Sequence, residues 1–273
     1  MDIYKHAADL IRDNKSFVIA TIIKSEGSVP GKVGFKMVVH ADGSSVGTVG
    51  GGAIEKQVIE DALQYLIKSE DGTRDYILSD KARASEDVKV ISMSCSGRLT
   101  VFYEAHGSRP TVYVFGGGHV GQALLYHLKP LDYHTVLIDN RNAFAARDIN
   151  PDSSENIFSD YEEYARQFIP VEKSYVVILT HGHKYDSIIL NILHERRLNF
   201  SYIGIIASKT KAAGILKSLR ETHGDNTDTS NIYTPVGLKI GGTSAAEIGL
   251  AIAAEMQTVR YGKTLIDGDK KEG

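Results

Sequence analysis

The apolar residues Val112, Val114 and Phe115 feed directly into Gly116, Gly118 and Gly121, and an amphipathic helix is predicted to begin immediately after them. No other feature constrains the fold as much, because each glycine of this G-x-G-x-x-G pattern has its own steric duty. Gly116 allows a tight turn, Gly118 lets a diphosphate approach the backbone, and Gly121 lets helix and strand pack closely. Free backbone N–H groups and the helix dipole then point the same way and favour an anion. The next strand reads TVLID and ends at Asp139, where a carboxylate can accept hydrogen bonds from ribose hydroxyls, as in dinucleotide folds that prefer NAD to NADP. His119 stands inside the loop where a small residue is usual, either as a contact to a ligand phosphate or simply as the start of the helix. The segment predicts a nucleotide or phosphate cradle, against the alternative of a purely structural turn, and is silent on chemistry.

The cradle lies in mid-chain, and 273 residues suffice for two modest domains. Residues 1–106 read as an N-terminal α+β domain with a mixed sheet. An amphipathic helix over residues 2–13 is followed by the strand Phe17 to Ile23 and by short β segments around FKMVVH, an Asp42-Gly43 turn and SVGTV. A second helix follows the triple glycine, with Ile54, Val58, Ala62 and Leu66 on one face, and RDYILS and LTVFYE supply further strands. After Ser108, Arg109 and Pro110 the pattern becomes strand and helix in alternation, with strands at 111–115, 134–138, 155–158, 174–179 and 201–206. Residues 107–262 are therefore expected to form a Rossmann-like, doubly wound parallel sheet, giving an α/β protein overall, with 263–273 as a disordered tail. The last helix, Ser244 to about Arg260, is rich in Ala and Ile and is expected to pack tightly against the N-terminal domain or a second subunit.

A net charge of -3 argues against a nucleic-acid surface. No apolar run approaches the roughly 20 residues that cross a bilayer, and the opening segment is too charged for a signal peptide, so no membrane partner and a cytoplasmic location are expected. The single cysteine, Cys95, cannot form an internal disulfide; among serines and next to Gly97 it is either an accessible turn thiol or a passive small side chain.

Two further segments carry candidate chemistry. GSVPGKVGFKMVV and GTVGGGAIE gather glycine around Lys32 and Lys36, and the triple glycine Gly50, Gly51, Gly52 opens a helix, as a second anion cradle would. The Walker A spacing is absent, and the alternative is a pair of tight hairpins whose glycines supply positive φ. THGHKYD follows a parallel strand, and His181, His183 and Asp186 are similar to the HxHxDH signature of metallo-hydrolases, but Lys184 and Tyr185 break its spacing. Crevice-lining polar groups or helix caps are the other reading.

Taken in order, GSVPGKVGFKM, GTVGGGAIE, Cys95-Ser96-Gly97, VFGGGHVGQAL, VLIDNR, LTHGHKYD, IGIIASKTK and TPVGLKIGGTSAAEIGLAIAAE resemble the XdhC/CoxI family, accessory proteins of molybdenum hydroxylases such as xanthine dehydrogenase. The resemblance spans nearly the whole chain. It implies a non-catalytic protein that binds the molybdenum cofactor, as molybdopterin or its nucleotide form. Such a protein supports sulfuration of the cofactor with a cysteine desulfurase and delivers it to the hydroxylase apoenzyme. The residues implied in binding are Lys32, Lys36, Gly50, Gly51, Gly52, Cys95, Gly116, Gly118, His119, Gly121, Asp139, His181 and His183, with Cys95 as a soft sulfur ligand to molybdenum. The chain departs from the family where Gly31 replaces a common basic residue, Ser96 a glycine, and Ala207 with Lys209 a Gly-Ser-Arg pattern. A homodimer is expected. The competing reading is an NAD(P)-dependent oxidoreductase acting on a small molecule, with His181, His183 or Lys184 as proton donor; a third is a metal hydrolase built on THGHKYD.

Overall fold

The computed structural model describes residues 2–79, 88–92 and 97–263. Cys95, Ser96 and residues 264–273, with the expectations attached to them, lie outside the described residues. The chain divides into two compact units, Met1–Ser108 and Arg109–Gly273.

The first unit is built on a mixed six-stranded sheet with spatial order β3-β2-β1-β6-β4-β5. Its strands are β1 (Phe17–Gly27), β2 (Lys36–His40), β3 (Ser45–Gly47), β4 (Gly72–Leu78), β5 (Val88–Ile91) and β6 (Gly97–His106). Every pairing is antiparallel except β4 with β5. Strand alternation sorts the side chains onto two faces. Val18, Ala20, Ile22, Met37 and Val39 pack with Ile54, Val58 and Ala62 of helix α2 (Gly52–Lys68). Phe17 and Val38 face the other way, onto Ala7 of helix α1 (Ile3–Arg12), whose N-terminus is capped by Asp2. β1 runs four residues beyond the expected Ile23, because a register shift between Ile22 and Lys24 lets it stay paired with β6 as far as Gly27.

The second unit holds a six-stranded, all-parallel sheet: β7 (Thr111–Phe115), β8 (His134–Asp139), β9 (Glu155–Phe158), β10 (Tyr175–Ile178), β11 (Tyr202–Ile205) and β12 (Ile232–Tyr233). Its spatial order is β9-β8-β7-β10-β11-β12. The chain thus builds outward from β7 to one edge, then returns to the other side of β7, so the switch point of the doubly wound sheet lies between β7 and β10. Helix α3 (His119–Leu128) and helix α8 (Ala245–Arg260) cover one face, burying Leu124, Leu128, Ile252 and Met256 on Val112, Val114 and Val177. Helices α5 (Tyr161–Gln167), α6 (His183–Glu195) and α7 (Lys209–His223) cover the other, over Tyr113, Phe115, Val176 and Ile178. A short helix, α4 (Asn142–Ala145), follows β8.

The final helix differs from expectation. α8 finds its tight packing on α3 within its own unit, where a Cβ at Gly249 would stand 2.8 Å from the backbone of Ala123 and Leu124. Among the described residues no helix is long and apolar enough to cross a membrane.

Candidate functional site

β7 and β10 are neighbours, so the Gly116–Gly121 loop and the Thr180–His183 segment leave the sheet side by side at the switch point. Gly116 is pressed against the end of β10: with φ +114, it would carry a Cβ 2.4 Å from the carbonyl oxygen of Leu179. A Cβ at Gly121 would lie 2.0 Å from the carbonyl oxygen of Gly116, so α3 starts as close to β7 as the backbone permits. Gly118 is different. It is the N-cap of α3, it has no side-chain cap, and the nearest atom to its absent Cβ is Nη2 of Arg141 at 3.9 Å. The start of α3 is thus left without a side-chain cap, and the space a Gly118 side chain would fill lies beside a guanidinium, an arrangement suited to a phosphate.

Asp139 ends β8 and is fully buried. One carboxylate oxygen accepts from the Gly117 N–H at 2.7 Å and from Arg141 Nη2 at 2.7 Å; the other accepts from Arg141 Nε and the Arg141 backbone N–H, both at 2.9 Å. Burial pushes this carboxyl up, but the Arg141 side chain, the Gly117 and Arg141 N–H groups and the guanidinium charge outweigh it and hold the group below the ordinary carboxylate range. The guanidinium also lies over the Phe144 ring at 3.9 Å, and its side chain stays one-third exposed (33%). Asn150 completes the support by donating to the Gly117 carbonyl oxygen at 3.1 Å. His119, exposed at the start of α3, lines a cleft of about 480 Å³ with Gln122, Tyr126, Asn150 and Asp152.

On the β10 side, the Thr180 hydroxyl lies 2.5 Å from Oδ1 of the buried Asp186, so Asp186 serves the entry to α6. His181 is exposed on the loop, its ring tilted against Tyr185 (centroids 5.5 Å) and Tyr161 (6.3 Å); His183 is the first residue of α6. Among the described residues no group of three His, Cys, Asp or Glu side chains could hold a metal ion.

In the first unit the triple glycine meets the chain's own carboxylate. Oε1 of Glu55 accepts from the Gly51 N–H at 2.9 Å, the Val49 N–H at 3.2 Å and the Thr48 hydroxyl at 2.5 Å. Two loop donors that an external anion would use are thereby taken from within. Gly50 and Gly52 flank this cap, and a Cβ at Gly50 would come 2.9 Å from the Gly31 backbone nitrogen. Gly31 is itself buried, with no room for a Cβ 2.3 Å from the Val49 carbonyl oxygen, which explains why no basic side chain stands there. Lys32 is exposed. Lys36 shares with Val38 the face covered by α1, donating to the Thr21 hydroxyl at 2.9 Å and lying 5.9 Å from the Tyr4 ring centroid, whereas Val49 and the start of α2 pack on the opposite face. The structure thus brings together Gly116, Gly118, Gly121 and Asp139 with the β10 loop, and it separates the Lys36 side chain from the glycines around α2.

Arg141 and Glu55 are residues to which the sequence alone assigned no role. Each had a signal: an arginine two residues after a strand-end aspartate, and a glutamate in the first turn of a helix that opens on glycine.

A sequence model of the XdhC Rossmann domain matches residues 112–256, and one of the XdhC and CoxI family matches residues 10–76. The chain belongs to the XdhC and CoxI family. Among the relatives it matches, the Escherichia coli (strain K12) protein named uncharacterized protein YqeB is 30% identical over 261 residues, 95% of this chain and 46% of YqeB. The chain therefore spans a little under half the length of that relative. A Bacillus subtilis (strain 168) protein, named as a probable subunit of xanthine dehydrogenase, is 22% identical over 323 residues, covering 92% of this chain and 95% of its own. Among solved structures, a xanthine dehydrogenase from Bacillus halodurans superposes with a TM-score of 0.51 at 20% identity, covering 98% of each chain, a likeness of fold.

Proposed function

We propose that this XdhC-family chain is an accessory factor of a molybdenum hydroxylase of the xanthine dehydrogenase type, and that it holds the molybdenum cofactor by its phosphate-bearing end at the Gly116–Gly121 loop. The observation that carries this reading is the start of α3 at Gly118, without a side-chain cap and with Arg141 Nη2 3.9 Å from where a Gly118 Cβ would stand, at the switch point of a parallel sheet. A phosphate or diphosphate fits there. The α3 N–H groups and Arg141 would bind it, Asp139 would hold Arg141 in place, and Gly116 and Gly121 would keep the loop narrow. The Bacillus subtilis relative named as a probable xanthine dehydrogenase subunit, which aligns over nearly all of both chains, supports the link to that enzyme.

The cofactor, when bound, would supply a molybdenum centre, and a cysteine desulfurase would be the source of its sulfido ligand. The chain's part in this proposal is to bind, to shield and to pass on, in the cytoplasm and as a homodimer, with His119 at the start of α3, His181 on the β10 loop, His183 opening α6, and Cys95 as the soft sulfur ligand that the family resemblance implies. Lys32, Lys36 and the Gly50–Gly52 loop belong to the proposed binding set more weakly, because Glu55 and Thr21 already engage groups there. Anaerobic purification from cofactor-loaded cells, with molybdenum and pterin measured per chain, tests the proposal. Retention of both is expected, with a marked loss in Gly118→Val, and absence of both from the unaltered chain would overturn it.

The strand order also favours a second reading, since β9-β8-β7-β10-β11-β12 is the arrangement of dinucleotide-binding sheets, and an oxidoreductase using NAD(P) would place its cofactor at the same switch point. Calorimetry with NADH and NADPH separates the two: that reading requires binding below millimolar concentrations.

A further inference from the structure

In a dinucleotide-binding sheet the acidic residue ending the second strand normally reads the ribose. Here that residue is Asp139, and it has nothing left to read with. A carboxylate offers about four lone-pair sites. Those of Asp139 receive the Gly117 N–H, the Arg141 backbone N–H, Arg141 Nε and Arg141 Nη2, all at 2.7–2.9 Å, and no part of the residue reaches solvent. A ribose hydroxyl could enter only by displacing one of these bonds, and displacing a guanidinium N–H would exchange a contact charged on both sides for one charged on one side. Arg141, by contrast, gives Asp139 two of the five N–H donors of its guanidinium and keeps others for a ligand. Its guanidinium carbon stands 3.9 Å from the Phe144 ring centroid, and its Nη2 is the nearest atom to the space a Gly118 Cβ would occupy. Asn150, only 2% exposed, ties the same loop through the Gly117 carbonyl oxygen and keeps an Oδ1 without a partner.

We infer that Asp139 is a positioning residue locked onto Gly117 and Arg141, and that the loop selects its ligand by phosphate charge through Arg141 without reading the ribose 2′-hydroxyl. This rests on the proposed phosphate-binding role of the loop and narrows its ligand class: nucleoside diphosphates whose sugar is immaterial. The pair acts as one device. The carboxylate orients the guanidinium, and the guanidinium prevents the carboxylate from meeting the sugar.

The experiment is titration calorimetry of the full chain with ADP and CDP, each beside its 2′-deoxy counterpart, at two salt concentrations. The ribo and deoxy forms are expected to bind within about twofold of each other, with affinity falling as salt rises. Arg141→Ala should weaken both by about tenfold, as loss of one charge-assisted contact implies, and should flatten the salt dependence. It should also create a preference for the ribo form, because Asp139 is then released. Arg141→Lys should restore the salt dependence. A structural role alone would move ribo and deoxy forms equally and create no sugar preference. If the unaltered chain binds the ribo forms about tenfold more tightly, Asp139 reads the sugar and the inference falls while the phosphate site stands. If no diphosphate binds at millimolar concentration, the phosphate site itself falls, and the inference with it. The comparison on the unaltered chain decides the matter even where a variant does not fold.

Discussion

Replacing Glu55 by alanine should both destabilise the first unit and open it to anions. Oε1 of Glu55 serves the Gly51 N–H, the Val49 N–H and the Thr48 hydroxyl at the start of α2. Hydrogen bonds to an ionised group contribute about 1.5–3 kcal/mol each when buried. Glu55 is only partly buried and Gly52 beside it is exposed, so water re-solvates much of what is lost. The net effect should resemble loss of a strong helix cap, about 2 kcal/mol. For a unit of this size that lowers the melting midpoint by about 10 °C. Glu55→Gln keeps an acceptor but loses the charge, and should cost about half as much. Scanning calorimetry of the full chain reads the transition of the first unit. Inorganic phosphate added to Glu55→Ala should recover part of the lost midpoint by occupying the vacated N–H groups, and should leave the same transition of the unaltered chain unmoved. A Glu55→Ala midpoint within about 1 °C of the unaltered chain would refute the capping role. Equal stabilisation of both chains by phosphate would refute the occupied cradle.

Within one glycine motif, two substitutions should behave in opposite ways. Gly121→Ala drives a methyl to 2.0 Å from the Gly116 carbonyl oxygen and should cost about 3 kcal/mol or more in urea unfolding, whereas Gly118→Ala meets nothing nearer than 3.9 Å and should cost about 1 kcal/mol or less. The reverse ranking would show that the loop does not sit as described. Asp139 gives a pH signature: its carboxyl is held low in the folded chain, so its contribution is fully present above the unfolded carboxylate value and disappears as pH falls through the folded one. The stability difference between the unaltered chain and Asp139→Asn should therefore be largest near neutrality and shrink below about pH 4, as read by urea midpoints across pH. A difference independent of pH would mean that charge plays no part.

The sheet of the second unit was legible because strands buried on both faces read as continuous apolar runs, and the glycine spacing at 116, 118 and 121 ties strand to helix within a few residues. The partner of α8 was not. An Ala-rich face says that something covers it, and only Gly249, which permits backbone approach to α3, hinted at what does. Asp139 was legible as a strand-end carboxylate, but whether Arg141 would turn back onto it or away depends on Phe144, which the ring contact supplies only after folding. The triple glycine read as an anion cradle because glycine N–H groups carry no label for their acceptor, and here the acceptor is Glu55, four residues after Gly51. Lys36 shows the limit of proximity in sequence. One step of strand parity sends its side chain to the α1 face and away from Val49.

The contact between Gly249 and Ala123 joins the two ends of the second unit's chain order. During synthesis the glycine loop and α3 emerge long before α8, and until α8 arrives Leu124 and Leu128 lack the Ile252 and Met256 that cover them. A chain cut before Ser244 would keep all six parallel strands and every residue of the cradle, yet leave α3 without its neighbour. The packing of α3, whose first turn carries the loop at Gly118, is thus complete only once the last helix has been made.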